Sequence, residues 1–191
     1  MRTFVLSVFT LFFAVGLTAT EPTTGGEIDV TASSIEWVGK KVTGQHNGKV
    51  ALKSGKLIMA DGEIQGGMFE IDMTSIECLD LSGNMKGKLE GHLKSDDFFG
   101  VDTYPVATLE ITNVTKKGDN TFDIIANATI KGKTNPVSFQ AVVDNGTATA
   151  DIVIDRSKYD VKYGSGSFFD NLGDNMIYDD FQLSVTLVMQ K

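Results

Sequence analysis

Strict alternation of apolar and polar side chains constrains this chain more than any other feature. Phe122, Ile124, Ala126, Ala128 and Ile130 form one stripe, Val137, Phe139, Ala141 and Val143 another, and Ala148, Ala150, Ile152 and Ile154 a third. Phe69, Ile71 and Met73 alternate with Glu70, Asp72 and Thr74, and Ala107, Leu109 and Ile111 with Thr108, Glu110 and Thr112. The C-terminal run sets Phe181, Leu183, Val185, Leu187 and Met189 against Gln182, Ser184, Thr186 and Gln190. Successive side chains of a strand point to opposite faces, so a period of two over this many segments specifies strands with one dry and one wet face. Turn-forming residues separate them: Lys117-Gly118-Asp119-Asn120, Gly132-Lys133-Thr134-Asn135-Pro136 and Asp144-Asn145-Gly146. Asn145-Gly146 suits a two-residue type I′ hairpin, whose central residues both need positive φ. Short loops make neighbouring strands antiparallel, and closing the meander removes its exposed edges. The expected fold is all-β: a single antiparallel barrel of about eight strands, whose interior is either filled by side chains or holds one small ligand.

The segment Gly83 to Gly100 departs from this pattern. Met85 through Leu93 has helix-like spacing, which predicts a short helical segment capping one end of the barrel. Ser95 and Asp96 are expected to cap a short turn after it. Phe98 and Phe99 are adjacent, so they cannot share a face of a strand or of a helical turn. With Tyr104 they are expected to point at the barrel opening. Inside, Ala126, Ala128, Ala141, Ala148 and Ala150, with the Gly66-Gly67 pair, leave volume. Trp37, Phe69, Phe122, Phe139, Phe168, Phe169 and Phe181 are large enough to fill it. Composition thus leaves open both a solid and a hollow barrel.

The N-terminus reads as a targeting segment. Arg2 precedes an apolar run from Phe4 to Leu17, and Thr18-Ala19-Thr20 offers small residues for cleavage before Glu21. The run of about 14 residues is short of the roughly 20 that a membrane span needs. Residues 1–20 are therefore expected to be a cleaved signal peptide, 21–27 a flexible lead-in and 28–191 the folded domain, in a periplasmic or secreted protein with no integral span after cleavage. Cys78 is the one cysteine, so no intrachain disulfide can form, and its apolar flanks suggest a buried small side chain. The formal net charge of −8 argues against nucleic acid and against docking on anionic lipid.

Enzyme chemistry finds little support. His46 and His92 are the two histidines, and neither lies in metal-ligand spacing. Gly164-Ser165-Gly166 falls short of a nucleophile elbow and reads as a turn. No catalytic set, metal or cofactor is expected.

The block His92 to Leu109, HLKSDDFFGVDTYPVATL, resembles the signature of the YceI-like family of lipocalin-like barrels that bind polyisoprenoid or other long-chain amphiphiles. WVGKKVTGQHNG (Trp37 to Gly48) is similar to the family's first hairpin, GMFEIDMTSI (Gly67 to Ile76) to its central strand, ATIKGKTNPVSF (Ala128 to Phe139) to a later hairpin and IDRSKYDVKY (Ile154 to Tyr163) to a further strand. The resemblance covers roughly residues 28 to 190 and implies a hollow, apolar-lined barrel. It implies an exported protein that binds a polyisoprenoid, isoprenoid quinone or fatty-acid-like lipid for carriage or storage. The alternative is a ligand-free packed barrel acting as a stress-response or interaction module. Implied cavity-lining or mouth residues are Trp37, His46, Phe69, Ile71, Met73, His92, Phe98, Phe99, Tyr104, Leu109, Phe122, Ile124, Phe139, Ile154, Arg156, Tyr159, Phe168 and Phe169. Polar candidates for orienting a head group also include Lys94, Asp97 and Lys158. Arg156 could hold a phosphate or quinone oxygen through its planar guanidinium, or could pair with Asp155 or Asp160. A homodimer is possible on this reading.

Overall fold

The computed structural model describes residues 24–190. The expected signal peptide lies outside them. The strands are β1 (Thr24–Glu27), β2 (Ser34–Lys41), β3 (Gly44–Ala60), β4 (Glu63–Cys78), β5 (Val106–Lys116), β6 (Thr121–Ile130), β7 (Lys133–Asp144), β8 (Thr147–Asp155) and β9 (Ile177–Val188). One helix, α1 (Gly83–Lys94), joins β4 to β5. Strands β2 to β9 pair with their chain neighbours, all antiparallel, and β9 returns to pair with β2, so eight strands close into a barrel. Closure gives each of β2 to β9 a paired neighbour on both sides, which an open meander could not do.

Residues 24–27, expected as flexible lead-in, instead form β1, paired with Lys56–Met59 of β3. Strand β3 is 17 residues long, and its pairing with β2 ends at Val50. The far part of β3 would otherwise present bare N–H and C=O groups, and β1 covers them.

Three hairpins turn on two residues with positive φ: Asp61-Gly62, Lys131-Gly132 and Asn145-Gly146. These are the type I′ turns that match strand twist. The expected five-residue turn at Gly132 to Pro136 is therefore tighter than the sequence suggested. Lys133 already pairs with Ile130, the hydroxyls of Thr129 and Thr134 bond across the strands at 2.8 Å, and Pro136 sits inside β7 opposite Asn127. Ser95 serves two elements. Its backbone N–H and its Oγ donate to the His92 carbonyl and terminate α1, while its own carbonyl accepts from the N–H groups of Phe98 at 3.0 Å and Gly100 at 2.8 Å and so opens the next turn. The segment after β8 does not run on as a strand to Tyr163. It leaves the sheet in a 3₁₀ turn at Arg156–Tyr159, with Asp155 accepting from the Ser157 N–H.

An up-and-down barrel sends alternate connections to the same end. The long excursions 79–105 and 156–176 thus share one end with the tight turns at 42–43 and 131–132. Register shifts keep the inward stripes in phase. Strand β5 shifts between Ile111 and Asn113, and β4 bulges between Asp72 and Glu77, where Asp72 Oδ1 accepts from the Thr74 N–H at 2.9 Å and Ala51 N–H donates to Ser75 Oγ at 2.7 Å.

Gly48 marks the closest approach of β3 to its neighbours. A Cβ there would lie 1.9 Å from the Glu77 carbonyl oxygen and 2.4 Å from the Trp37 ring. Gly48→Ala should therefore cost about 1–3 kcal/mol of unfolding free energy as strands and ring give way. A urea midpoint unchanged from wild type would contradict this packing.

Candidate functional site

The inward stripes do not meet at the barrel axis. Phe181, Leu183 and Val185 of β9, Phe139 of β7, Ala150 of β8 and Ile71 of β4 face inward yet are only half-buried. They border a cavity of about 210 Å³. An apolar cavity of about 150 Å³ already stays dry and admits benzene, so this space exceeds an ordinary packing defect.

Eleven of the residues expected at the site line it. Trp37, Phe69, Ile71, Met73, Leu109, Ile124, Phe139 and Ile154 contribute from the strands. Phe98, Phe99 and Arg156 contribute from the end that carries the long excursions. The adjacent phenylalanines divide their roles as their geometry requires. Phe98 is buried beneath the Arg156 guanidinium, 5.4 Å from ring centroid to Cζ, while Phe99 stacks edge-on toward Phe181 at 6.2 Å.

Seven expected residues do not line the cavity. His46 turns outward, and its Nδ1 lies 2.8 Å from Asp80 Oδ2. His92 packs edge-on against Tyr163 at 4.4 Å and Phe98 at 5.7 Å, behind the lining layer, with its Nε2 buried and unpartnered. Tyr104 lies over the Lys131-Gly132 turn, 2.9 Å from where a Gly132 Cβ would stand, because the chain has left the opening by that point. Phe122 is fully packed near the β5–β6 turn and closes the opposite end. Tyr159 is buried in the 3₁₀ turn, its hydroxyl without a partner, and burial pushes its pKa up. Phe168 and Phe169 stand exposed on the long loop, Phe168 beneath the Lys162 ammonium at 5.3 Å. Of the further head-group candidates, Lys158 pairs with Asp155 at 3.8 Å, and neither it, Lys94 nor Asp97 borders the cavity.

Arg156 is the one charged residue on the cavity wall among the described residues, and its donors are already taken. Nε donates to the Tyr178 carbonyl at 3.1 Å, Nη1 to the carbonyls of Val161 and Tyr163 at 2.9 Å each, and Nη2 to that of Ile177 at 3.0 Å. Nη2 also faces Asp179 Oδ1 at 3.4 Å. Its ion-pair partner is thus Asp179 rather than Asp155 or Asp160; Asp160 pairs with Lys162 instead. Burial pulls the Arg156 pKa down while Asp179 and Asp155 oppose this. A guanidinium committed to four carbonyls and a carboxylate acts as a clamp on the loop, with little left for a head group.

Sequence reasoning missed Val50, Leu52 and Leu57 of β3, which also line the cavity. Their alternation changes phase at a register shift between Leu52 and Ser54, which hides the stripe. It also missed the meeting of His46, Cys78 and Asp80. Cys78 is fully buried and donates to Asp80 Oδ1 at 3.2 Å, which the Asn47 N–H also reaches at 3.0 Å. Burial pushes the Cys78 thiol pKa up, and the Asp80 contact adds to this, so the thiol is a poor nucleophile. No helix among the described residues is long and apolar enough to cross a membrane.

A crystal structure of BcnA from Burkholderia cenocepacia superposes with a TM-score of 0.66 at 26% identity, covering 85% of this chain and 99% of that one. A polyisoprenoid binding domain from Saccharophagus degradans, implicated in plant cell wall breakdown, matches with a TM-score of 0.61 over 86% of this chain and 97% of its own length; at 18% identity it shares the fold. An Azotobacter vinelandii UPF0312 protein is 34% identical over 83 residues, 39% of this chain and 43% of that protein. Protein YceI of Salmonella arizonae is 44% identical over 50 residues, 26% of each chain. The matches to these curated relatives span less than half of their length. The YceI-like domain pattern matches residues 27–189, nearly the whole described barrel, and the chain therefore belongs to the YceI-like domain family.

Proposed function

We propose that this barrel binds a long-chain apolar or amphiphilic molecule in its interior, a polyisoprenoid, isoprenoid quinone or fatty-acid-like lipid, and carries or stores it after export. The observation that carries this reading is a cavity of about 210 Å³ walled by aliphatic and aromatic side chains, whose one charged neighbour has its donors already occupied. The Saccharophagus degradans domain of like fold, a polyisoprenoid binding domain, supports the same ligand class. Each CH₂ withdrawn from water contributes about 0.8 kcal/mol, so a five-carbon isoprene unit contributes roughly 3–4 kcal/mol gross. Ordering of the tail offsets much of this, which keeps affinities below the practical ceiling. Selectivity for chain length should therefore be loose, with the wall supplying affinity and the mouth supplying little.

The test is to purify the full chain from its own host without detergent and extract it for mass spectrometry. The expected result is a co-purifying long-chain species, and a saturable site for the dye ANS after delipidation. Phe139→Ala, which widens the wall, should shift preference toward longer or bulkier tails. Absence of any co-purifying lipid together with absence of a saturable dye site would overturn the proposal in favour of a ligand-free interaction module.

A further inference from the structure

We propose that His46, Cys78 and Asp80 form a site for a borderline-soft divalent cation, zinc above all, on the outside of the barrel. The three ligand atoms, His46 Nδ1, Cys78 Sγ and an Asp80 carboxylate oxygen, lie within 4.8 Å of one another. They form the one such group of mixed nitrogen, sulfur and oxygen donors among the described residues. Imidazole, thiolate and carboxylate are the donor types that zinc selects.

The spacing fits with small movements. Tetrahedral zinc with bonds of about 2.0–2.3 Å holds its ligand atoms roughly 3.3–3.6 Å apart. Here Cys78 Sγ is 3.2 Å from Asp80 Oδ1, and His46 Nδ1 is 2.8 Å from Asp80 Oδ2. Opening these two contacts by well under an ångström, and bringing His46 Nδ1 and Cys78 Sγ from within 4.8 Å to about 3.6 Å, admits the metal. The frame is rigid: β3 and β4 pair at Gly48 and Cys78, and the Leu79 N–H donates to the Asn47 carbonyl at 2.9 Å. The supporting contacts are those a metal site needs. Asp80 Oδ1 accepts from the Asn47 N–H at 3.0 Å, and Glu90 Oε1 accepts from the Cys78 N–H at 2.9 Å, setting a second carboxylate beside the cluster. Cys78 is fully buried, while the side chains of His46 and Asp80 are 32% and 28% exposed. The metal would thus be reached from solvent on one face, with water as fourth ligand. On binding, the Cys78 thiol gives its proton to solvent and its sulfur forms the bond, one proton released per metal.

The competing arrangement is a trio held together by hydrogen bonds alone. Cobalt(II) distinguishes them, since thiolate-bound tetrahedral cobalt shows a sulfur-to-metal charge-transfer band and intense visible bands. The full chain, reduced and freed of metal, should bind one equivalent of cobalt with both signatures, and zinc should displace it. Cys78→Ser should abolish the charge-transfer band. His46→Gln, at a partly exposed position, should weaken cobalt and zinc binding at least tenfold with the circular dichroism spectrum unchanged, and it serves as the test where Cys78→Ser does not fold. A titration with no charge-transfer band, or zinc binding equal in wild type and His46→Gln, would overturn the proposal.

Discussion

Replacing Arg156 by methionine should lower the unfolding free energy by about 3–5 kcal/mol, the cost of breaking a buried charge network by removing one partner. Methionine keeps much of the volume, so the loss reports the guanidinium itself. The carbonyls of Val161, Tyr163, Ile177 and Tyr178 lose their donor, and Asp179 loses its cation. These groups tie the loop after β8 to the start of β9, where Ile177 and Tyr178 border the cavity. The same substitution should therefore speed amide exchange at 161–163 and 177–179 before it does so elsewhere. Arg156→Lys should recover only a minor part of the loss, because a point ammonium cannot span carbonyls set around a planar fork. Chemical denaturation with matched m-values measures the effect. A loss within about 1 kcal/mol for Arg156→Met would mean that water or a rearranged loop replaces the clamp.

Ala150→Phe should weaken binding of long-chain ligands at least 100-fold while leaving the fold intact. Ala150 is inward and half-buried, opposite Ala141 on β7 and Val185 on β9. A phenyl ring there occupies the space of about four methylenes of ligand. At about 0.8 kcal/mol each this is roughly 3 kcal/mol of lost burial, a little over two decades in affinity. In a solid barrel the same ring would have nowhere to go, and overpacking would cost about 1–3 kcal/mol of stability. The two cases separate in one pair of measurements, dye or lipid titration and a denaturation curve. Retained affinity in a stable Ala150→Phe protein would place the ligand elsewhere; destabilisation with no change in binding would remove the cavity from the mechanism.

Much of the barrel was legible because an alternating stripe encodes which side chains share a face. The stripe Phe122 to Ile130 is buried at every second position, and Asn145-Gly146 makes the hairpin its chemistry predicts. Legibility failed where local hydrogen bonding broke the period. Strand β3 shifts phase between Leu52 and Ser54, so its wall residues carried no readable stripe. It failed again at the mouth. A cluster of aromatic and charged residues near one end does not specify which of them turn inward, and Phe99 does so while Tyr104, Phe168 and Phe169 do not. Arg156 stayed open between a head-group contact and an ion pair with Asp155 or Asp160, because nothing in the sequence announces four carbonyls converging on it from residues 5 to 22 positions away.

By itself the sequence determined most of the strands from β4 onward, their two faces and the Asn145-Gly146 hairpin, and its family block pointed to the barrel. These are local properties, set by side-chain period and turn stereochemistry. Whether that barrel is empty was decided in three dimensions. A void depends on how far apart opposite walls stand once β9 has closed on β2, and on whether side chains from strands distant in the chain can reach across. The Arg156 clamp and the His46, Cys78 and Asp80 group also needed three dimensions, the first because the chain folds back between β8 and β9 and the second because β3 pairs with β4 at Gly48 and Cys78, a register that side-chain period alone does not fix.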